Sequence, residues 1–257
     1  YLSLKSLGIK KGDEVICPSI SWVATAAAIS FLGAKPIFVD VNLDQNINTL
    51  KIEKKITKKT KAIVFVNFTG QLADFKNIKR IAKKYSIKTI EDGAQSFGAK
   101  KNNLYSGKLA DISTFSFNSM KVLQGFGELG CVLTDNKSTY IKIRQLRHIG
   151  LNEKNSEVLE DIDLNHKPDE LQAYLLIESL KFYKSEISKR RKLISYYKKK
   201  LINEVMWCNH DTTKSSCYDF QILVKNRDKL YEYLINKKIE VRIKHPLLMS
   251  EQKIFKS

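Results

Sequence analysis

Lys121 stands between an apolar, strand-like run and a glycine-rich turn, in TFSFNSMKVLQGFGELG (residues 114–130), while many of the chain's lysines gather in clusters. Its neighbours Phe115, Phe117, Met120, Val122 and Leu123 make an apolar setting. Burial there would depress a lysine pKa from about 10.4 and leave a free amine able to attack a carbonyl carbon. The plain alternative is a surface lysine in a loop. Asp92 follows the run KTIE, and an ionised carboxylate at the end of a buried strand needs a cation or N–H donors to meet it. Its plain alternative is a helix N-cap. Trp22 opens an apolar helical stretch and reads as core or as a ring on a ligand face. Ser19, Ser21, Thr25, Ser116 and Ser119 can cap helices or hold a phosphate.

Taken together these residue types are less generic. A lysine for a Schiff base, an aspartate for a pyridinium nitrogen, an aromatic ring for stacking and small hydroxyls for a phosphate are the parts that pyridoxal phosphate requires.

The elements that must position them alternate short apolar runs with longer amphipathic ones, the mark of a parallel α/β sheet. EVICP, KPIFVD, KAIVFVNF, IKTIED, DISTFSF and GCVLTD read as strands; WVATAAAISFLG, ADFKNIKRIAKKYS and KSTYIKIRQLRHIG read as helices, with shorter helical spacing around residues 48–56. In open parallel sheets ligands sit beyond the carboxyl ends of the strands, so the exits at Ser19–Trp22, Asp92–Gln95 and Ser116–Lys121 can converge. Residues 1–165 form the large α/β domain and residues 166–202, from about Pro168, a long connecting helical region. Residues 203–257 begin a smaller α+β domain with YDFQILV and IEVRI as strands and NRDKLYEYLINKK as a helix. LSLKSLGI reads as the last turns of a helix stopped at Gly8, and QKIFKS closes no element, so the chain reads as a segment of a longer protein.

Composition narrows the class. With 257 residues and 43% hydrophobic side chains the chain can bury a substantial core. No apolar run is long enough to span a membrane and no secretory leader opens the chain, so the expected place is the cytoplasm. Cys17, Cys131, Cys208 and Cys217 show neither CxxC spacing nor a histidine cluster, and read as reduced, mostly buried thiols with no metal site. The formal charge of +18 invites a nucleic-acid partner. The lysines of KIEKKITKKTK and KSEISKRRKLISYYKKK, however, fall opposite apolar residues at helical spacing, the pattern of solvated faces, and no nucleic-acid-binding motif accompanies them.

GDEVICPSISWVATAAAISFLGAKPIFVDV, KTKAIVFVNFTGQLADFKNIKRIAKKYSIKTIEDGAQSFGA and DISTFSFNSMKVLQGFGELGCVLTDN resemble successive motifs of the DegT/DnrJ/EryC1/StrS family of pyridoxal-phosphate sugar aminotransferases, in order from about Leu2 to Leu180. The resemblance implies fold type I: a mostly parallel central sheet sandwiched by helices, plus a partial smaller C-terminal α+β domain. It implies that Lys121 holds the cofactor covalently and shuttles a proton, that Asp92 pairs with the pyridinium nitrogen, that Gln95 reaches the phenolic oxygen, that Trp22 stacks on the ring and that Ser116 binds the phosphate. DLNHKPDELQA resembles the pattern in which an asparagine, here Asn165, reaches the phosphate of the neighbouring subunit's cofactor. His166 stands where the family usually has tyrosine and Lys167 where it usually has arginine. The resemblance also places some of the phosphate cup before Tyr1 and some of the small domain after Ser257.

The implied reaction is transfer of an amino group, from glutamate, to a keto group of a nucleotide-linked sugar in amino-sugar or surface-polysaccharide biosynthesis. The implied assembly is a homodimer with its active site at the subunit interface, without nucleic acid or membrane. Two other readings stand beside it: a catalytically idle relative acting as a regulatory or assembly subunit, whose sign would be loss of Lys121 or Asp92, and a basic nucleic-acid-binding protein. A dehydratase of the same family, with histidine in place of the lysine, is argued against by Lys121.

Overall fold

A computed structural model describes residues 1–152, 154–155, 157–201, 204–208, 211 and 213–256. The chain runs α1 (Leu2–Ser6), β1 (Glu14–Pro18), α2 (Ala24–Phe31), β2 (Lys35–Val39), α3 (Thr49–Ile52), β3 (Thr60–Val66), α4 (Phe75–Tyr85) and β4 (Lys88–Asp92). A small hairpin, β5 (Lys100–Lys101) and β6 (Leu104–Tyr105), precedes β7 (Ile112–Ser116), β8 (Gly130–Leu133) and α5 (Lys137–Arg147). The long α6 (Glu170–Lys200) leads to β9 (Met206–Trp207), β10 (Ile222–Leu223) and α7 (Arg227–Asn236).

Six strands make one sheet in the order β2-β1-β3-β4-β7-β8. All neighbours are parallel except β7 and β8. The apolar runs of the central strands β1, β3 and β4 are buried on both faces, which is why they read as continuous rather than alternating, while the edge strands β2 and β8 are only partly covered. Successive side chains still point to opposite faces. Val15, Cys17, Ala62, Val64, Ile90 and Ile112 pack with Leu4 of α1 and Ile29 of α2 on one side. Ile16, Ile63 and Phe65 pack with Ile52 of α3 and with Phe75, Ile78, Ile81 and Ala82 of α4 on the other.

Local signals set the helix ends. The Asp74 side chain accepts a hydrogen bond from Asn77 N at the start of α4, and Asn136 does the same for Thr139 N at the start of α5. Only Ile187 and Ile194 of α6 are buried, and the lysine-rich segments at 51–61 and 184–200 lie largely on the surface. Toward the C-terminus the strand expectations are met only in part. YDFQILV contributes only Ile222–Leu223 to a two-stranded ladder with Met206–Trp207. IEVRI forms no strand: residues 239–243 have no ladder partner among the described residues, and β-branched composition makes no strand without one.

A buried carboxylate ties the loops at the carboxyl edge together. Glu91 of β4 is fully buried. Its Oε1 accepts from Asn67 Nδ2 at 2.7 Å and Ser106 Oγ at 2.6 Å. Its Oε2 accepts from Gly107 N at 2.9 Å, Leu109 N at 3.3 Å and Ser113 Oγ at 2.6 Å. Removing the acceptor would strand several buried donors, each costing about 1–3 kcal/mol. Glu91→Ala is therefore expected to destabilise the protein by at least about 3 kcal/mol in urea unfolding.

Candidate active site

Asp92 is the residue after Glu91, so its side chain leaves β4 on the opposite face, toward α2. There Thr25 Oγ1 donates to Asp92 Oδ2 at 2.8 Å, and Ser21 Oγ lies 3.1 Å from Thr25 Oγ1. Ala94 N donates to Asp92 Oδ1 at 3.1 Å. Residues 93–99 run as turns, so Asp92 caps no helix. Two donors do not exhaust a carboxylate's lone pairs, and the group remains partly exposed.

Lys121 follows β7 in a tight return of the chain. Lys121 N donates to Asn118 O at 2.8 Å and Gly125 N to Phe117 O at 2.6 Å. A Cβ at Gly125 would sit 2.7 Å from Phe117 O, and one at Gly130 2.6 Å from Phe115 O, so the return closes only without side chains at these points. Underneath, Phe115, Phe117 and Leu123 are buried against Phe97, Leu129 and Tyr183. Phe97 meets Phe115, Phe117 and Tyr183 edge-on at 5.7, 5.7 and 5.2 Å. Met120, expected in this apolar setting, is instead 67% exposed.

The Lys121 amine is half-buried, and this burial pushes its pKa below the ordinary 10.5. The Asp92 carboxylate opposes that shift, Lys244 reinforces it, and Asp219 and Glu128 oppose it again. Asp92 and Lys121 thus act on one another across the exits of β4 and β7.

Trp22 lies in the loop before α2, not in its first turn, and is 62% exposed, which overturns the core alternative. Gln95 is buried and its Oε1 accepts from Thr69 N at 2.6 Å, a residue held at φ 56°. Ser116 is half-buried, with Asn118 N donating weakly to its Oγ at 3.4 Å. Asn165 is exposed; its Oδ1 accepts from Lys167 N at 3.2 Å, and its backbone bridges His148. Three residues at the site carry no sequence signal. Tyr218 sits with its ring 5.1 Å from Lys121 Nζ and 5.5 Å from Lys244 Nζ, and Lys244 Nζ lies 3.2 Å from Asp219 Oδ2. All three come from C-terminal loops with no spacing that points to the cluster. Thr25, by contrast, was visible three residues after Trp22.

The sequence profile of the DegT/DnrJ/EryC1/StrS aminotransferase family matches residues 1–257. The chain belongs to that family. It is 35% identical over 257 residues to the dTDP-3-amino-3,6-dideoxy-alpha-D-galactopyranose transaminase of Aneurinibacillus thermoaerophilus, covering 99% of this chain and 70% of that one. It is 38% identical over 193 residues to the UDP-2-acetamido-2-deoxy-3-oxo-D-glucuronate aminotransferase of Pseudomonas aeruginosa, covering 75% of this chain and 53% of that one. The crystal structure of NtdA from Bacillus subtilis with bound cofactor PMP superposes with a TM-score of 0.89 at 33% identity, over 98% of this chain and 59% of that one.

The sheet is therefore that of the fold type I pyridoxal-phosphate enzymes, and the chain is an aminotransferase whose cofactor is pyridoxal 5'-phosphate. The residues present fit that group. A carboxylate retains lone pairs for a ring nitrogen, a desolvated amine is ready for a carbonyl carbon, and an exposed indole and a hydroxyl stand at neighbouring strand exits. Among the described residues no cluster of three or more His, Cys, Asp or Glu could hold a metal ion.

The depressed Lys121 pKa has a stability consequence. Unfolding lets the amine bind its proton more tightly, so the folded state carries a penalty that is full below the folded pKa and vanishes as pH rises from there through 10.5. Lys121→Met is expected to raise the melting temperature of the cofactor-free protein at neutral pH. The gain should shrink toward zero as pH passes 10.5, as read by thermal unfolding across pH.

Proposed function

We propose that this chain transfers an amino group, with glutamate as donor, to the keto carbon of a nucleotide-linked sugar, and that Lys121 is its catalytic base and covalent anchor. The observation that carries this reading is the half-buried Lys121 amine held in the field of Asp92 at the carboxyl edge of the sheet. The relatives named above act on dTDP- and UDP-linked sugars by their names, which supports the substrate class.

When bound, the cofactor supplies an electron sink for the pair left on the substrate carbon. Asp92, oriented by Thr25 and Ala94, holds a proton on the ring nitrogen through its free lone pairs. Gln95 has its carbonyl engaged by Thr69 N, and its amide N–H is the group it would offer to a ligand oxygen. Trp22 offers its exposed face for stacking, Ser116 Oγ a hydroxyl for the phosphate, and Asn165 a side chain for the phosphate of a second copy. Lys121 Nζ removes the proton from the substrate carbon and returns it on the other side of the transfer, a task suited to an amine with a lowered pKa.

A homodimer follows from the same reading. Leu171, Tyr174 and Ile177 on α6, with Met120 and Phe126 beside the Lys121 turn, are large apolar side chains left exposed in a single copy. The four cysteines are free thiols, as in a reducing compartment such as the cytoplasm. No helix among the described residues is long and apolar enough to cross a membrane.

Freed of unbound pyridoxal phosphate, which is itself yellow, the protein is expected to keep a visible cofactor band and Lys121→Ala to lose it; a parent that keeps no band after incubation with excess cofactor would sink the proposal. Asp92→Asn is expected to retain cofactor while amino transfer from glutamate to dTDP-, UDP- or GDP-linked keto sugars, followed as 2-oxoglutarate release, drops about a hundredfold or more.

A further inference from the structure

Two amines share one aromatic ring at this site. Lys121 Nζ is 5.1 Å and Lys244 Nζ 5.5 Å from the centroid of Tyr218, both within the range in which a ring attracts a cation. The backbone that carries the ring is held from several directions. Arg190 Nη1 of α6 donates to Tyr218 O at 3.2 Å and Cys217 O at 3.4 Å, and Arg191 Nη2 donates to Ser215 O at 3.1 Å. On the other side, Ser216 N donates to Gly70 O at 3.1 Å and Ser216 Oγ to Gln95 O at 2.5 Å. A Cβ at Gly70 would come within 2.1 Å of Ser216 Oγ, so the two segments meet with no room to spare. Tyr218 is thus fixed to the loops of the sheet edge as well as to α6.

We propose that Tyr218 is a positioning residue for Lys121: its ring face seats the Lys121 ammonium whenever that amine is not covalently engaged, and Lys244, on the same ring, weakens the seat by charge repulsion. The inference rests on Lys121 being the reactive lysine. During a transfer cycle the amine must leave its covalent bond, carry a proton and come back. A long side chain freed in a cleft would otherwise lose its aim among many rotamers. The ring supplies a place of rest that binds only the protonated form, because attraction to the π face requires the charge. It therefore acts against the burial that favours the neutral amine. The charged groups facing Lys121 are Asp92 from β4, Glu128 from the turn before β8, and Lys244 and Asp219 from the C-terminal loops. Asp219, paired with Lys244 at 3.2 Å, limits how far the second amine can repel the first.

The test reads the protonation midpoint of Lys121 directly, without turnover. Trace acetylation of the cofactor-free full-length protein across pH, quantified at Lys121 by mass spectrometry, gives that midpoint for the parent, Tyr218→Phe, Tyr218→Leu and Lys244→Met. Tyr218→Phe keeps the ring and is expected to leave the midpoint within a few tenths of a pH unit. Tyr218→Leu is expected to lower it by about half to one and a half units, a gain of about three- to thirtyfold in free amine at a pH below the midpoint. Lys244→Met is expected to raise it, since a repelling charge is lost and Asp219 is released to attract. Equal shifts for the Phe and Leu variants, no shift for Leu, or a fall for Lys244→Met would each overturn the inference. Should Tyr218→Leu fail to fold, the Lys244→Met arm decides by its sign. The visible band of the cofactor-loaded parent and its loss in Lys121→Ala report separately on Lys121 itself. A band that depends on Lys121 beside a midpoint indifferent to Tyr218 rejects the seat and leaves the aminotransferase reading intact.

Discussion

The carboxylate of Glu91 is the constraint on which the active edge of this molecule depends. A carboxyl group with no access to water survives only if its lone pairs are met, and here five donors from separate stretches of chain meet them. Because those donors belong to the residue after β3, the hairpin region before β7 and the start of β7 itself, one carboxylate sets the relative position of the loops that surround the cofactor site. Asn67 extends the effect: its Oδ1 accepts from Ala73 N, which anchors the approach to α4.

A second set of ties brings distant sequence to the same edge. Tyr183 of α6 donates its hydroxyl to Phe97 O at 2.5 Å and packs on the Phe97 ring, beneath the turn that carries Lys121. Gly98, at φ +74°, lies so close to that hydroxyl that a Cβ would fall within 2.1 Å of it. Farther along, Met249 N donates to Ser19 O at 2.9 Å and Phe255 packs on Phe38 at 5.6 Å, so the last described segment rests on the exits of β1 and β2. The site is made by the large sheet but walled by residues far from it in sequence.

The large sheet was legible in the sequence because buried parallel strands write themselves as apolar runs, and the amphipathic helices between them obey their own period. The places of Asp92 at the end of β4 and of Lys121 in the turn after β7 were legible for a related reason: a charge beside an apolar run is costly and so conspicuous. What stayed hidden was anything made by tertiary contact alone. Asn67, Ser106 and Ser113 carry no spacing that announces one shared acceptor, and Glu91 beside Asp92 reads as half of an acidic pair rather than as a hub. Tyr218 and Lys244 sit in loops whose only organisation is what they pack against. IEVRI has strand composition and forms no strand, since a ladder needs a neighbour that composition does not provide.

The adjacency of Glu91 and Asp92 has a consequence for folding fidelity. Residues next to each other on a strand face opposite sides, so β4 sends one carboxylate into a sealed polar knot and the other toward Thr25 of α2. A slip of β4 by one residue would exchange them, leaving a short side chain among donors it cannot span and an overlong one against Thr25. Such an error would break the structural knot and the Asp92–Thr25 contact in the same stroke. A misregistered molecule would therefore be too unstable to persist as a folded but inactive competitor for the cofactor.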